Sequence, residues 1–477
     1  MTLDYIFHGG YVITMEGKGT GIIERGAVGI KGNCIEAVGT EEEILGKYKA
    51  HRYINTAHKA VMPGFVDAHI HTSNAIVRGG SQDIPSDQWM FRGILPLLSL
   101  ATKEDLVTGS MLNILEAVKA GTTTFGDFDI PMLALVENHV KVKTRAVVSN
   151  MINELPQDAM KVTKGELYPL DSNIGNEKLK ENTELIERYH NSENGRILCR
   201  YGPQAVDMCS VELLKEIRSL ARQKGVDIYL HVAQSEEEIH QTVRRTGMRP
   251  IPLLGELDYL YPGLLAAHMT YANVDELQAV AASGVSMALC SNSIDIIGGM
   301  LPPALEFASF GGRVALGTDQ APGNNCNNMF NEMKISSLLA KYKSGDATTY
   351  PAFSMLRMAT IESAAALGIA DRVGSLRKGK QADLIVVDLS EPHMNPIYEY
   401  PVRTLIPNLV YSARGHEVEF VMIDGNLIVE ERKVLTVDED AVIQQANEAA
   451  RRIEQNLANK EWFKDLPLVK WTAEKNY

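Results

Sequence analysis

The chain has 477 residues, 45% of them hydrophobic and 22% charged, which is enough apolar material for a large core and argues against disorder. With 47 basic against 60 acidic residues the formal net charge is −13, and such an acidic chain repels nucleic acid and anionic lipid at long range. Five cysteines, at positions 34, 199, 209, 290 and 326, form no CxxC pair and leave an odd count, so a disulfide framework is not expected and a reducing compartment is.

The first residues, MTLDYIFHGG, hold an acidic residue and no apolar stretch of the kind a signal peptide needs. No run of about 18 apolar residues follows anywhere, so the expectation is a soluble, cytoplasmic protein with no membrane span. Residues 1–60 read as short strands broken by glycine, including Tyr11–Met15 and Ala27–Ile30, with Lys31-Gly32-Asn33 as a hairpin turn.

From residue 61 the texture alternates between strand-like and helix-like segments, the pattern of βα units. The strand candidates are Val61–His69, Thr122–Phe128, Thr144–Asn150, Ile197–Pro203, Asp227–Ala233, Leu264–His268, Ser286–Cys290 and Val314–Asp319. Helical segments such as Lys103–Ala120, Val211–Lys224 and Asn273–Ser283 lie between them. Eight parallel strands with crossover helices make an α/β fold, a (β/α)8 TIM barrel. An open doubly wound sheet would want a glycine-rich phosphate turn after its first strand, and none is present.

Strand texture returns after Gly374, with Ala382–Asp388 and then Phe420–Ile423 running into an Asp424-Gly425-Asn426 turn. Strand-rich ends around a long middle predict a small β-sandwich domain built from both termini, residues 1–60 and 373–435, around a catalytic barrel at 61–372. Two unrelated β appendages are the alternative. Residues 436–477 form a tail whose amphipathic helix, Glu439–Asn456, packs on the outside.

Eight of the twelve histidines, namely His8, His51, His58, His139, His190, His240, His393 and His416, sit where a solvated or core role is the default. The other four lie at strand ends. His69 and His71 end the first barrel strand, His231 the fifth and His268 the sixth, while Asp319 ends the eighth. Carboxyl ends of barrel strands converge on one face, and residues two apart on a strand point the same way, so His69 and His71 can grip one ion. Three imidazoles and a carboxylate suit zinc or ferrous iron with a position left for water.

His-x-His after a Pro-Gly-Phe-Val-Asp-Ala strand, together with His231, the Ala-Ala-His268 strand and the Leu-Gly-Thr-Asp319 strand, resembles the amidohydrolase superfamily over nearly the whole chain. The resemblance implies a hydrolase of carbon–nitrogen bonds other than peptide bonds. His69, His71, His231 and Asp319 would be the metal ligands, with Asp319 also the base and His268 a substrate-polarising group. Binuclear members carry a bridging lysine on the fourth strand; here that strand reads Ile-Leu-Cys-Arg-Tyr-Gly-Pro, so one ion, Zn2+ ahead of Fe2+, is expected.

Arg78-Gly79-Gly80, Asp87-Gln88-Trp89 and the Asn-rich stretch from Gly323 to Met329 resemble the branch of nucleoside and s-triazine deaminases and chlorohydrolases. That implies displacement of an amino or substituted-amino group from a triazine-, pterin- or purine-like ring. Trp89, His268, Gln234 and Asn325 are the candidate substrate contacts, and Trp89 can stack on a flat ring. Three positions depart from the pattern. Gln234 stands where deaminases place a glutamate acid, and an amide cannot deliver a proton. Leu98 replaces the glutamate that holds ribose hydroxyls, and the histidine usual near Ser291-Asn292 is missing. These departures weigh against a methylthioadenosine or adenosylhomocysteine substrate, which stays as an alternative. Opening of a cyclic amide, as in imidazolonepropionase-like relatives, is the competing chemistry, and a barrel without catalysis is the non-enzymatic one. A homodimer is the family-level expectation.

Overall fold

The computed structural model describes residues 1–85, 88–156, 159, 165–458 and 460–476. Strands β1 (Thr2–Ile13), β2 (Ile22–Lys31), β3 (Cys34–Thr40), β4 (Lys49–Asn55) and β5 (Lys59–Pro63) open the chain. β1 is long enough to pair antiparallel with β2 on one edge and, in succession, parallel with β4 and β5 on the other. The predicted Lys31-Gly32-Asn33 turn joins β2 to β3, with Gly32 at φ +58.

The barrel strands follow. They are β6 (Phe65–His71), β7 (Thr122–Asp129), β8 (Arg145–Ile152), β9 (Ile197–Cys199) with β10 (Gly202–Pro203), β11 (Ile228–Val232), β12 (Leu264–His268), β13 (Ser286–Leu289), and β14 (Arg313–Leu316) with β15 (Asp319–Gln320). The pairs β9/β10 and β14/β15 are each one barrel strand in two pieces. Neighbours pair in parallel in chain order, bridges Tyr201–Ile228 and Ala205–His231 carry the fourth strand onto β11, and β15 pairs with β6. That last pairing closes the barrel, so that among the described residues its strands form a ring without an edge.

One expected strand divides. Residues 61–69 belong to two elements, the end of β5 in the terminal domain and the start of β6 in the barrel. Gly64 sits at the break because a Cβ there would lie 2.1 Å from Thr123 Cγ2 of β7. Apolar content is continuous across the break, so hydrophobicity alone gives no sign of it.

Crossover helices match their predicted extents closely. Lys103–Lys119 starts from a Thr102/Asp105 capping box, Val211–Lys224 from a Ser210 cap with Gly225 in the left-handed region at its end, and Val274–Ala282 from an Asn273/Glu276 box. After the barrel, β16 (Leu384–Asp388) pairs antiparallel with β5, followed by β17 (Val418–Ile423), β18 (Asn426–Glu430) and β19 (Lys433–Val434). Both termini therefore form one nine-stranded sheet, and Phe7, Val28, Ile54, Val386 and Phe420 share its core. The helix Glu439–Leu457 lays Ala446, Ala449 and Ile453 against Ile76, Val77 and Leu97 on the outside of the barrel. Among the described residues no helix is long and apolar enough to cross a membrane.

Candidate metal centre

Alternation along each strand sends every second side chain into the barrel. On β6 this aims His69 and His71 inward, on β11 Tyr229 and His231, and at the ends of β12 and β15 His268 and Asp319. The rings of His69, His71 and His231 lie 4.7–5.4 Å apart, and that of His268 is 5.2 Å from His231. Asp319 Oδ1 lies 3.5 Å from His69 Nε2 and 3.3 Å from His71 Nε2. All five side chains are at most 5% exposed.

Each of three imidazoles has its Nδ1 committed elsewhere. His69 Nδ1 donates to the Tyr229 hydroxyl at 2.7 Å, and that hydroxyl in turn donates to the Ala68 carbonyl. His71 Nδ1 donates to the Phe128 carbonyl, and His231 Nδ1 to the Gln204 carbonyl at 2.6 Å. The hydrogen-bond network thus selects the tautomer that leaves Nε2 free, as an ion requires. Two atoms at the focus, His69 Nε2 and Asp319 Oδ1, are buried without a hydrogen-bond partner. Buried polar atoms are nearly always satisfied, so a convergent unsatisfied pair of donor atoms fits a divalent ion.

The electrostatics agree. Burial and the neighbouring imidazoles hold His231 well below its ordinary pKa, and burial brings His268 down to about 3, so both rings are neutral. Burial pushes the Asp319 carboxyl up, but the His69 and His71 imidazoles that face its Oδ1 outweigh it, and the group sits well below the carboxylate range. Burial likewise lowers His69, whereas in His71 the charges of Asp319 and Asp129 overcome burial and raise the pKa, so an entering ion displaces a proton there; neutral imidazole and ionised carboxylate are the ligand forms.

Several residues that shape this centre were given no role by the sequence reading, although most lie within its motifs. Asp67 accepts from Thr318 Oγ1 at 2.6 Å and from the Thr318 and His69 backbone N–H groups at 3.0 and 3.3 Å, which ties strand eight to strand one. Ser293 Oγ donates to Asp319 Oδ2 at 2.6 Å. Gly317 lets β6 pass: a Cβ on it would meet His69 Cβ at 2.7 Å. Asn327 Nδ2 donates to Thr318 Oγ1 and the Asp319 carbonyl, and Asn324 Nδ2 to the Thr318 carbonyl, which steadies the left-handed turn at Asp319 (φ +60). Sequence reasoning passed over Tyr229, although its place two residues before His231 on an inward-facing register could have found it.

A cavity of about 360 Å³ opens above the centre. Of the candidate residues, His71, His231, His268, Asp319, Trp89 and Gln234 line it. Trp89 is 4% exposed and its indole donates to the Ser81 carbonyl at 3.0 Å, so the ring is a fixed wall. Leu98, Met90, Phe91 and Met151 make much of the rest apolar, while Asn153, Gln204 and Lys178 add polar groups. Asn325 is not among the lining residues. It is left-handed and exposed, and its side chain accepts from the Gly79 backbone N–H at 3.1 Å, joining the loops after strands eight and one. Glu236 is exposed in the first turn of helix Glu236–Thr246, as a helix-start carboxylate should be, whereas Glu238 is buried and accepts from the Ala233 and Gln234 N–H groups. The Asp87 of the branch motif lies outside the described residues. Among the described strand-four residues Ile197–Pro203 there is no lysine.

Comparison with known proteins agrees with this geometry. Residues 60–428 match the model of the amidohydrolase family. The chain is 33% identical over 448 residues to a 5-methylthioadenosine/S-adenosylhomocysteine deaminase of Pelotomaculum thermopropionicum, covering 94% of this chain and 98% of that one. It is 33% identical over 447 residues to a 5'-deoxyadenosine deaminase of Methanococcoides burtonii, covering 94% and 97%. An adenosine deaminase from Xanthomonas campestris, solved with bound zinc, superposes with a TM-score of 0.87 at 28% identity over 95% of this chain and 99% of that one. Atrazine chlorohydrolase from Arthrobacter aurescens, also with zinc, shares the fold at a TM-score of 0.82 and 20% identity over 94% and 100%. The chain belongs to the amidohydrolase family, metal-dependent hydrolases of carbon–nitrogen bonds.

Proposed function

We propose that the protein deaminates an adenine-type ring carrying an apolar substituent, and that a single divalent ion, zinc, is held by His69, His71, His231 and Asp319. The observation that carries the reading is the pair of unpartnered buried atoms, His69 Nε2 and Asp319 Oδ1, framed by three imidazoles whose Nδ1 atoms are all spoken for. When bound, such an ion lowers the pKa of water toward neutrality and supplies the nucleophile.

The chain's own residues do the rest. Asp319, its Oδ2 fixed by Ser293, takes the proton of the attacking water and passes it to the leaving amine. The neutral His268, its Nδ1 buried without a partner, polarises a ring atom of the substrate. Gln234 presents an amide to the cavity and orients the ring; it has no proton to give at neutral pH. Trp89 offers an aromatic face against the heterocycle. The fixed wall formed by Trp89, with Leu98 and Met90, leaves the sugar side of the cavity apolar and favours a substrate whose 5' substituent is itself apolar. The deaminase relatives favour the adenine ring over triazines and pterins. Five free cysteines, three of them buried, support a reducing cytoplasm, and the exposed Tyr398, Tyr400 and Val402 support a homodimer.

The test is metal analysis of the purified protein with ammonia release measured on 5'-deoxyadenosine, 5'-methylthioadenosine, adenosine, a melamine-type triazine and a pterin. The 5'-substituted nucleosides should turn over with the highest kcat/KM. A zinc-loaded protein that releases no ammonia from any of them, or that yields a ring-opened product from a cyclic amide, would sink the proposal.

A further inference from the structure

Outside the barrel, two histidines and a glutamate meet on the terminal domain. His393 lies in the short 3-10 turn Pro392–Met394 after β16, and His416 and Glu417 come just before β17. His393 Nε2 is 2.5 Å and His416 Nε2 is 3.5 Å from the same atom, Glu417 Oε1. The imidazole rings are 5.6 Å apart, and one donor atom from each of the three side chains lies within 4.8 Å of the other two.

The carboxylate is held for this. Its Oε2 accepts from the backbone N–H groups of Arg414 and Gly415 at 3.0 and 2.8 Å, with a longer 3.2 Å contact from Arg414 to Oε1. The Glu417 side chain is fully buried and its carbonyl accepts from the Asp388 N–H at 2.8 Å. His393 is 22% and His416 51% exposed, so the cluster opens to solvent on one side.

We propose that His393, His416 and Glu417 form a second metal site, for a borderline divalent cation such as zinc, distinct from the barrel centre. Donor atoms about 2.0–2.2 Å from a tetrahedral zinc are spaced roughly 3.3 Å from one another. The His416–Glu417 spacing is already there, and the His393–Glu417 hydrogen bond opens by less than 1 Å to match. The proton now shared between His393 Nε2 and Glu417 is released to water as the ion enters, and water fills the remaining coordination position. The two imidazoles come from the loop leaving β16 and the loop entering β17, which the antiparallel pairing of Val387 with Val418 brings to one end of the sheet, so an ion there ties both loops together. The backbone N–H groups orient the carboxylate chiefly through Oε2, and the Arg414 N–H reaches Oε1 only at 3.2 Å, which leaves that oxygen a lone pair for an ion.

Protein stripped of metal with a chelator and dialysed is titrated with Zn2+ in chelator-free buffer at pH 7.5, with zinc per chain measured in parallel. His416→Ala and His393→Gln should each bind one equivalent less than the wild type, or bind it at least ten-fold more weakly. His69→Ala should lose a different equivalent, and the His69→Ala/His416→Ala pair should lose both. Saturating Zn2+ should raise the Tm of His69→Ala but not that of the pair. Unchanged stoichiometry and affinity in both His416→Ala and His393→Gln would overturn the site, whatever the barrel centre binds; an exposed control, His51→Ala, should behave as wild type.

Discussion

Replacing Tyr229 by phenylalanine isolates one atom that holds the metal centre together. The hydroxyl accepts from His69 Nδ1 at 2.7 Å and donates to the Ala68 carbonyl, in a side chain that is 0% exposed and stacked 4.9 Å from Phe128. Phenylalanine keeps the stacking and the volume, so the loss is confined to the two hydrogen bonds. In the metal-free protein the His69 ring has an escape: its proton can move to Nε2, which faces Asp319 Oδ1 at 3.5 Å. In the loaded protein Nε2 is a ligand, and the proton must stay on Nδ1 with no acceptor. An unpaired buried N–H costs about 1–3 kcal/mol, so metal affinity should fall by roughly 10- to 100-fold. The Ala68 carbonyl loses its donor in both states and lowers Tm without touching affinity. Competition against a chromophoric chelator reads the affinity directly. A dissociation constant within two-fold of wild type, in a variant that is folded by circular dichroism, would refute the reasoning.

Two further outcomes are expected. Gln234→Glu places a carboxylic acid where the amide lines the cavity, and kcat for ammonia release should rise at least about ten-fold if proton delivery to the amine limits turnover; an unchanged or lower kcat in a protein of unchanged zinc content would mean that Asp319 already meets the demand. Burial pushes Glu332 from its ordinary 4.5 up to about 8, against hydrogen bonds from the Asn292 N–H and Ser336. The folded protein therefore binds this proton more tightly than the unfolded chain, and its contribution to stability is complete below pH 4.5 and lost as pH rises through 8, by about 5 kcal/mol at most. Glu332→Gln should flatten the fall in Tm between pH 5 and 8, whereas an identical pH profile would show that Glu332 ionises normally.

The clustering of histidines and an aspartate proposed as the metal site was legible in the sequence because metal-binding chemistry leaves little choice of residue. Imidazole and carboxylate are scarce at the ends of apolar strands, so His69, His71, His231, His268 and Asp319 stand out against Leu, Ile, Val and Ala neighbours. The barrel was legible for the same reason that it is stable, since each strand is buried on both faces and reads as an apolar run between amphipathic helices. The break at Gly64 was not, because residues on both sides are equally buried and what divides them is the approach of Thr123 from a strand some sixty residues away. Tyr229 and Ser293 were equally silent, and Asp67 was visible only as a letter of the first-strand motif: tyrosine, aspartate and serine are ordinary residues whose role comes only from the atom that faces them.

The substrate half was legible in part, and the asparagines show why. Asn324, Asn325 and Asn327 form one motif in sequence, but backbone geometry divides their labour. The left-handed turn at Asn325 throws its side chain outward to Gly79, while Asn324 and Asn327 fold under strand eight and hold Thr318 and Asp319. A motif therefore marks the loop and leaves open which of its side chains face the substrate. Leu98 makes the complementary point. As the loss of a glutamate it argues against a ribose contact, yet in the structure it belongs to a continuous apolar wall with Trp89, Met90 and Phe91. Such a wall selects for what replaces a polar group on the substrate as much as it rejects the group itself. The proposed adenine nucleoside with an apolar 5' substituent would satisfy it, which brings the reading of the cavity into line with the deaminases to which this chain is similar.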